Sequence, residues 1–247
     1  MFELTGRVGI ITGASSGIGY ATANVLAEAG AKIYAISRSG GAKNPDAYVH
    51  ENITHIKGDI SDYPAMEKLI PEIGEKQGID FLINNAGVTV KKRAEDVTDA
   101  DFEYVQRINV FCPFKLSVLC YPYLKKSKTV GRIINISSMA AHMGFSQVVP
   151  YCTSKGAVIG MTQGLAVEWA NDNITVNSIA PGWFPSELTK SVMDDDRKLK
   201  ILARMPVHQF GDTKDLGAMA QFLLSDSATY ITGRDFAVDG GALAFGF

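Results

Sequence analysis

The chain has 247 residues, 46% hydrophobic and 20% charged, too apolar for a disordered segment and long enough for one large domain or two small ones. A net charge of −2 lacks the basic character of a nucleic-acid-binding domain and disfavours a nucleic-acid partner. The 24 glycines exceed the roughly 17 of average usage, yet only 9 prolines accompany them and no G-X-Y period appears, which excludes collagen and a proline-rich linker.

In chain order, short apolar runs predict strands at Arg7–Thr12, Lys32–Ser37, Ile53–Lys57, Ile79–Asn84, Gly131–Ser137, Ile174–Ala180 and Asp235–Asp239. They are apolar on both faces, as strands covered by helices on both sides must be. Between them, three- and four-residue apolar spacing predicts helices at Ile18–Ala29, Tyr63–Gln77, Ala100–Lys126, Pro150–Asn171, Val192–Ala203 and Thr213–Ser225. This alternation implies a parallel sheet with right-handed crossovers. No linker or repeat divides it, so residues 1–247 read as one domain. The excursion at 184–206 leaves the strand edge where ligands bind in such sheets and is a candidate lid. No apolar run reaches the ~18 residues of a membrane span. Cys112, Cys120 and Cys152 are an odd number at no metal-ligand spacing. The first residues lack a signal-peptide pattern, so the expectation is a cytoplasmic protein without a membrane partner. His50 and His55 have no Cys or His partner at metal spacing, and no metal site is read.

The first strand runs into Thr12-Gly13-Ala14-Ser15-Ser16-Gly17-Ile18-Gly19 and then a helix. A glycine turn there lets backbone N–H groups approach a phosphate, and the helix N-terminus favours its charge. No Gly-Lys-Ser/Thr follows, so it is not a P-loop. A dinucleotide site often carries an acid about 20 residues on, for the ribose 2′-hydroxyl. Here the second strand ends Ser37-Arg38-Ser39 without a carboxylate. A serine and a guanidinium suit a 2′-phosphate, so NADP(H) is favoured over NAD(H). Further on, Tyr151 and Lys155 open a predicted helix four residues apart, on one helix face. The neighbouring cation is expected to stabilise phenolate and lower the tyrosine pKa, and together with an oxidised nicotinamide ring in a dry pocket to bring it towards neutrality.

With these motifs in this order, the chain resembles the classical short-chain dehydrogenase/reductase family from about Gly6 to Gly241. Among members it resembles 3-oxoacyl-carrier-protein reductases and gluconate 5-dehydrogenases. Gly58-Asp59-Ile60 resembles the family's adenine-contacting acid, and Asn84-Asn85-Ala86-Gly87 the motif that supports the central strand and the adenosine ribose. Asn109 matches a helix asparagine that orders a water beside the lysine. Ser138 precedes Tyr151 by the family's thirteen residues, Pro181-Gly182 resembles the nicotinamide-side turn, and Val238-Asp239-Gly240-Gly241 the end of the last strand. The resemblance implies an α/β fold: a single-domain, Rossmann-like, doubly wound parallel seven-stranded sheet with helices on both faces. It implies hydride transfer between a nicotinamide and a carbon bearing oxygen. Tyr151 is the implied proton donor, Ser138 bonds the same oxygen, Lys155 tunes the tyrosine and binds the nicotinamide ribose, and Asn109 supports a proton relay. Cofactor contacts are implied for Gly13, Ser15, Ser16, Gly17, Ile18, Gly19, Ser37, Arg38, Asp59, Ile60, Asn85, Ala86, Gly87, Tyr151, Lys155, Pro181 and Gly182. Ser186 takes the place of a threonine common in the family. Met139, His142, Trp183 and Phe184 are substrate-side candidates.

Two substrate classes compete: small ketones, polyols or sugar acids, and 3-oxoacyl thioesters on a carrier protein. Carrier proteins are acidic and call for basic residues at the entrance. The turn Glu168-Trp169-Ala170-Asn171-Asp172-Asn173 is acidic and weighs against them. A catalytically silent cofactor-binding sensor is the third reading, disfavoured because the Ser–Tyr–Lys set is whole. The resemblance also implies a homo-oligomer, a tetramer or dimer, packed through long helices and the apolar C-terminal segment.

Overall fold

The computed structural model describes residues 2–185 and 195–245. Seven strands form one parallel sheet: β1 (Val8–Thr12), β2 (Lys32–Ser37), β3 (Ile53–Lys57), β4 (Phe81–Asn84), β5 (Gly131–Ile136), β6 (Ile174–Pro181) and β7 (Asp235–Val238). Their spatial order is β3-β2-β1-β4-β5-β6-β7. The chain runs outward from β1 to β3, then returns to lay β4 on the other side of β1. Ligands of such sheets bind beyond the strand carboxyl ends at that reversal.

Helices cover both faces, which explains the doubly apolar strands. Adjacent residues point to opposite sides: Ile11, Ile83 and Ile134 enter one core with α1 (Gly17–Glu28) and α7 (Thr213–Leu224). Ile10, Leu82 and Ile133 enter the other, with α2 (Tyr63–Gln77), α4 (Cys112–Leu124) and α5 (Val149–Glu168). Gly9 exists for packing: a Cβ there would lie 2.0 Å from the buried Phe81 ring. Part of the glycine excess therefore serves the core.

Strand boundaries agree with expectation to within two residues. The long helix expected over Ala100–Lys126 is not uniform. It consists of α3 (Asp99–Gln106), a π turn (Arg107–Phe111) and α4. Thr98 and Asp101 close a capping box at its start. Pro113 has no N–H for the Asn109 carbonyl four residues back, and the widened turn falls there. The segment 186–194, with Ser186 and the first part of the expected lid, lies outside the described residues. Beyond it, α6 (Asp195–Arg204) carries Asp195 and Asp196 in its first turn, where the helix dipole favours acids.

The acidic turn Glu168–Asn173 is not at the entrance. It follows the C-terminal end of α5, beside the amino ends of β5 and β6, where Gly131 N–H donates to the Asn173 carbonyl. Seventeen residues at 1.5 Å put it about 25 Å along the helix from Tyr151. Asp172 there pairs with Lys125 at 2.6 Å and accepts from the Tyr121 hydroxyl at 2.7 Å. Its charge bears on local packing and leaves the carrier-protein question open.

Candidate active site

A cleft of about 590 Å³ lies across the carboxyl ends of the central strands. Its floor is the junction of β1 and β4. Thr12 Oγ1 accepts from the backbone N–H groups of Asn85 and Ala86, each at 3.1 Å. Asn85 Nδ2 returns bonds to the carbonyls of Thr12 and Gly13, at 2.9 and 3.2 Å. The turn fits so closely that a Cβ on Gly13, at φ +68, would lie 2.8 Å from Ala86 Cα. The N-cap Ser16 makes no side-chain cap bond and the first turn of α1 holds no acid. Its amide groups are thus suited to an anionic ligand.

At one end of the cleft lie buried Ser37, exposed Arg38 and the Asp59–Ile60 pair. The Ser61 hydroxyl and N–H bond Asp59 and, with the Arg38 charge, hold its carboxyl below the usual range. Ser39 and Lys43 line the same end and were missed in the sequence. Only a fold contact brings them there: the Lys43 N–H donates to the Ser15 carbonyl at 2.8 Å, laying the loop after β2 along the glycine turn. Two cations, two serine hydroxyls and free helix-end amides fit a phosphorylated dinucleotide.

At the other end β5, α5 and the π turn bring Ser138, Tyr151, Lys155 and Asn109 together. Ser138 caps a 3-10 turn, Met139–Ala141, in which its Oγ accepts from Ala140 N–H at 3.1 Å. The same hydroxyl favours the Tyr151 phenolate. Lys155 is buried, gives a hydrogen bond to the Ile136 carbonyl at 2.6 Å, and stands 5.5 Å from the Tyr151 ring centre. Burial pushes the phenol pKa up, opposed by the Ser138 bond. Burial thus works against the lowering that a neighbouring cation gives. The ammonium sits over the ring and is tied to a backbone carbonyl, and burial depresses Lys155 itself to about 8.

Asn109 is placed by its whole side chain. Its Nδ2 donates to the Val88 carbonyl and Ser154 Oγ, both at 2.9 Å, and its Oδ1 accepts from Val88 N–H at 2.8 Å. Gly87 lies between it and Lys155, where a Cβ would be 3.8 Å from the lysine nitrogen. Pro181, Gly182 and Phe184 also line the cleft. Met139 and Trp183 instead join an apolar cluster with Met205, Phe145 and Ile201. His142 turns to Asp235, 2.6 Å from its carboxylate.

Among the described residues, no helix is long and apolar enough to cross a membrane. The family description enoyl-(acyl carrier protein) reductase matches residues 13–242. The chain is 36% identical to a 2-dehydro-3-deoxy-D-gluconate 5-dehydrogenase of Bacillus subtilis, over 98% of this chain and 97% of that one. It is 34% identical to the 3-oxoacyl-[acyl-carrier-protein] reductase of Vibrio cholerae, over 97% and 98%. Among solved structures, a gluconate 5-dehydrogenase from Burkholderia cenocepacia in complex with NADP and tartrate superposes with a TM-score of 0.89. It shares 29% identity, with 98% of this chain and 97% of that one covered.

Proposed function

The chain belongs to the short-chain dehydrogenase/reductase family and is an NAD(P)-dependent oxidoreductase of CH–OH or ketone groups, and from that premise we propose that it interconverts a ketone and a secondary alcohol with NADP(H), on a small carbonyl, polyol or sugar-acid substrate. The observation that carries the reading is the convergence of Ser138, Tyr151 and Lys155 at one end of the cleft, with Arg38 and Lys43 at the other.

Bound NADPH supplies the hydride that reaches the carbonyl carbon. Ser138 donates a hydrogen bond to the carbonyl oxygen and stabilises the charge that grows there. Tyr151 gives its proton to the same oxygen, completing the alcohol. A phenol held protonated by burial suits this direction, and the reverse reaction requires its loss. Lys155, as an ammonium below about pH 8, offers its remaining donors to the ribose and its charge to the tyrosinate that forms. Asn109 acts through its backbone carbonyl, because its amide is spent on Val88 and Ser154. Phe184 walls the cleft, and Met139 and Trp183 pack in the apolar cluster beside the Ser138 turn.

The test is a panel of sugar acids, polyols, small ketones and acetoacetyl thioesters, assayed with NADPH or NADP. Turnover of a sugar-acid or polyol pair well above the thioesters is expected. Thioesters as the preferred substrates would replace this reading by the carrier-protein one, which the position of the acidic turn leaves standing. NADPH binding without turnover across the panel would establish the silent sensor.

We also propose a homo-oligomer, a dimer or tetramer. Phe111, Phe114 and Val118 are exposed at 48%, 41% and 41%, and Val167 on α5 at 81%. On the same helix, Gly156, Gly160 and Gly164 have open space where a Cβ would stand. Ala242 is buried against Met139 and Met205 of its own chain, while Phe245 beyond it is 47% exposed and joins the surface available for the contact. Light scattering is expected to give a multiple of the 26.6 kDa chain mass, and a monomer rejects the proposal.

A further inference from the structure

The two ends of the turn that carries Ser138 meet on one carboxylate. Asp235, the first residue of β7, has a side chain only 8% exposed. Its Oδ1 accepts from Ser137 Oγ at 2.6 Å and from Ser178 Oγ at 2.5 Å. Its Oδ2 lies 2.6 Å from His142 Nε2. A carboxylate only accepts, so the imidazole nitrogen is the donor. Ser137 is the residue before Ser138, and His142 is the residue after the 3-10 turn. Within the turn, Ala141 N–H donates to the Ser138 carbonyl and His142 N–H to the Met139 carbonyl, at 2.9 and 3.0 Å. Those local bonds set the turn's shape. They do not set where it stands relative to Tyr151 on α5.

The two anchors differ in strength. The Ser137 end is also tied to β6 by its backbone N–H, which donates to the Ile179 carbonyl at 2.8 Å. The His142 end reaches β7 through its ring, and that ring is 38% exposed. We propose that the Asp235–His142 pair is a clamp that holds Ser138 in register with Tyr151, and that His142 is a positioning residue and not a substrate contact. The proposal rests on the reading of Ser138 as catalytic. Misplacement of a reacting group by about 1 Å costs up to about 10²-fold in rate, so a loosened turn is visible in kcat.

The experiment compares the wild type with His142→Ala, His142→Gln, Ser138→Ala and the double variant His142→Ala/Ser138→Ala. It uses the carbonyl that the wild type reduces fastest. His142→Ala is expected to lower kcat by about 10- to 10²-fold with NADPH affinity and Tm unchanged. Glutamine, whose amide N–H can meet the same carboxylate, restores most of the rate. In the Ser138→Ala background, His142→Ala has no further effect, because the group it positions is gone. Full activity of His142→Ala overturns the clamp. So does a glutamine variant as slow as alanine, or a loss that persists undiminished without Ser138. Joint loss of Tm and cofactor affinity also overturns it, as general destabilisation. Normal turnover in Ser138→Ala defeats the catalytic reading itself and the clamp with it. A slow Ser138→Ala beside a fast His142→Ala defeats the clamp alone.

Discussion

Replacing Tyr151 by phenylalanine is expected to cut ketone reduction by about 10²- to 10⁴-fold, the usual contribution of a positioned general acid. NADPH affinity stays close to the wild-type value. Phenylalanine keeps the ring at the start of α5, and Lys155 keeps its bond to the Ile136 carbonyl, which does not involve the phenol. What is lost is the hydroxyl and its proton. The two directions of reaction should also differ in pH response. Burial holds the phenol protonated, so reduction proceeds at neutral pH. Alcohol oxidation needs the phenolate and should gain as pH rises, until Lys155 discharges above about 8. Steady-state rates in both directions and cofactor fluorescence titration check this. Near-normal reduction by Tyr151→Phe would remove the phenol from the central role.

Replacing Arg38 by alanine is expected to weaken NADPH by about tenfold, and the Arg38→Ala/Lys43→Ala pair by about 10²-fold, with little change for NADH. A hydrogen bond to a charged group contributes about 1.5–3 kcal/mol, and exposure of both side chains places each at or below the low end. The cofactor preference then inverts towards NADH. The ratio of kcat/KM for the two cofactors measures it, and the effect should shrink at high salt. A wild type that already prefers NADH would show that the two cations serve something other than a 2′-phosphate.

Much of the site was legible because its motifs are local. The glycine turn, the Tyr151–Lys155 spacing and Ser138 thirteen residues ahead require no knowledge of distant contacts, and the cleft gathers them all. Lys43 was not legible. It sits five residues past Arg38 in an irregular loop, and one backbone bond to Ser15 puts it in the site. The π turn was invisible for a different reason. One extra residue per turn barely disturbs a 3.6-residue apolar pattern read over a long window, so 100–126 looked continuous. The burial of Tyr151 was not legible, because spacing places the lysine beside the ring but says nothing of desolvation, which works against the lowering that a cation gives.

The chain by itself determined the α/β alternation, the two-sided core, the glycine turn between β1 and α1 and the family. Each is written in short-range order, where backbone geometry couples residues no more than about a turn or a strand apart. The tertiary structure alone decided that His142 faces Asp235 instead of the cleft. It also decided that the acidic turn lies at the amino ends of the strands, opposite the cleft, and that Asn109 spends its amide on Val88 and Ser154. His142 and Asp235 are 93 residues apart in the chain. Contacts of that span exist only once crossover helices have set the order of the strands, and no local pattern records where they close.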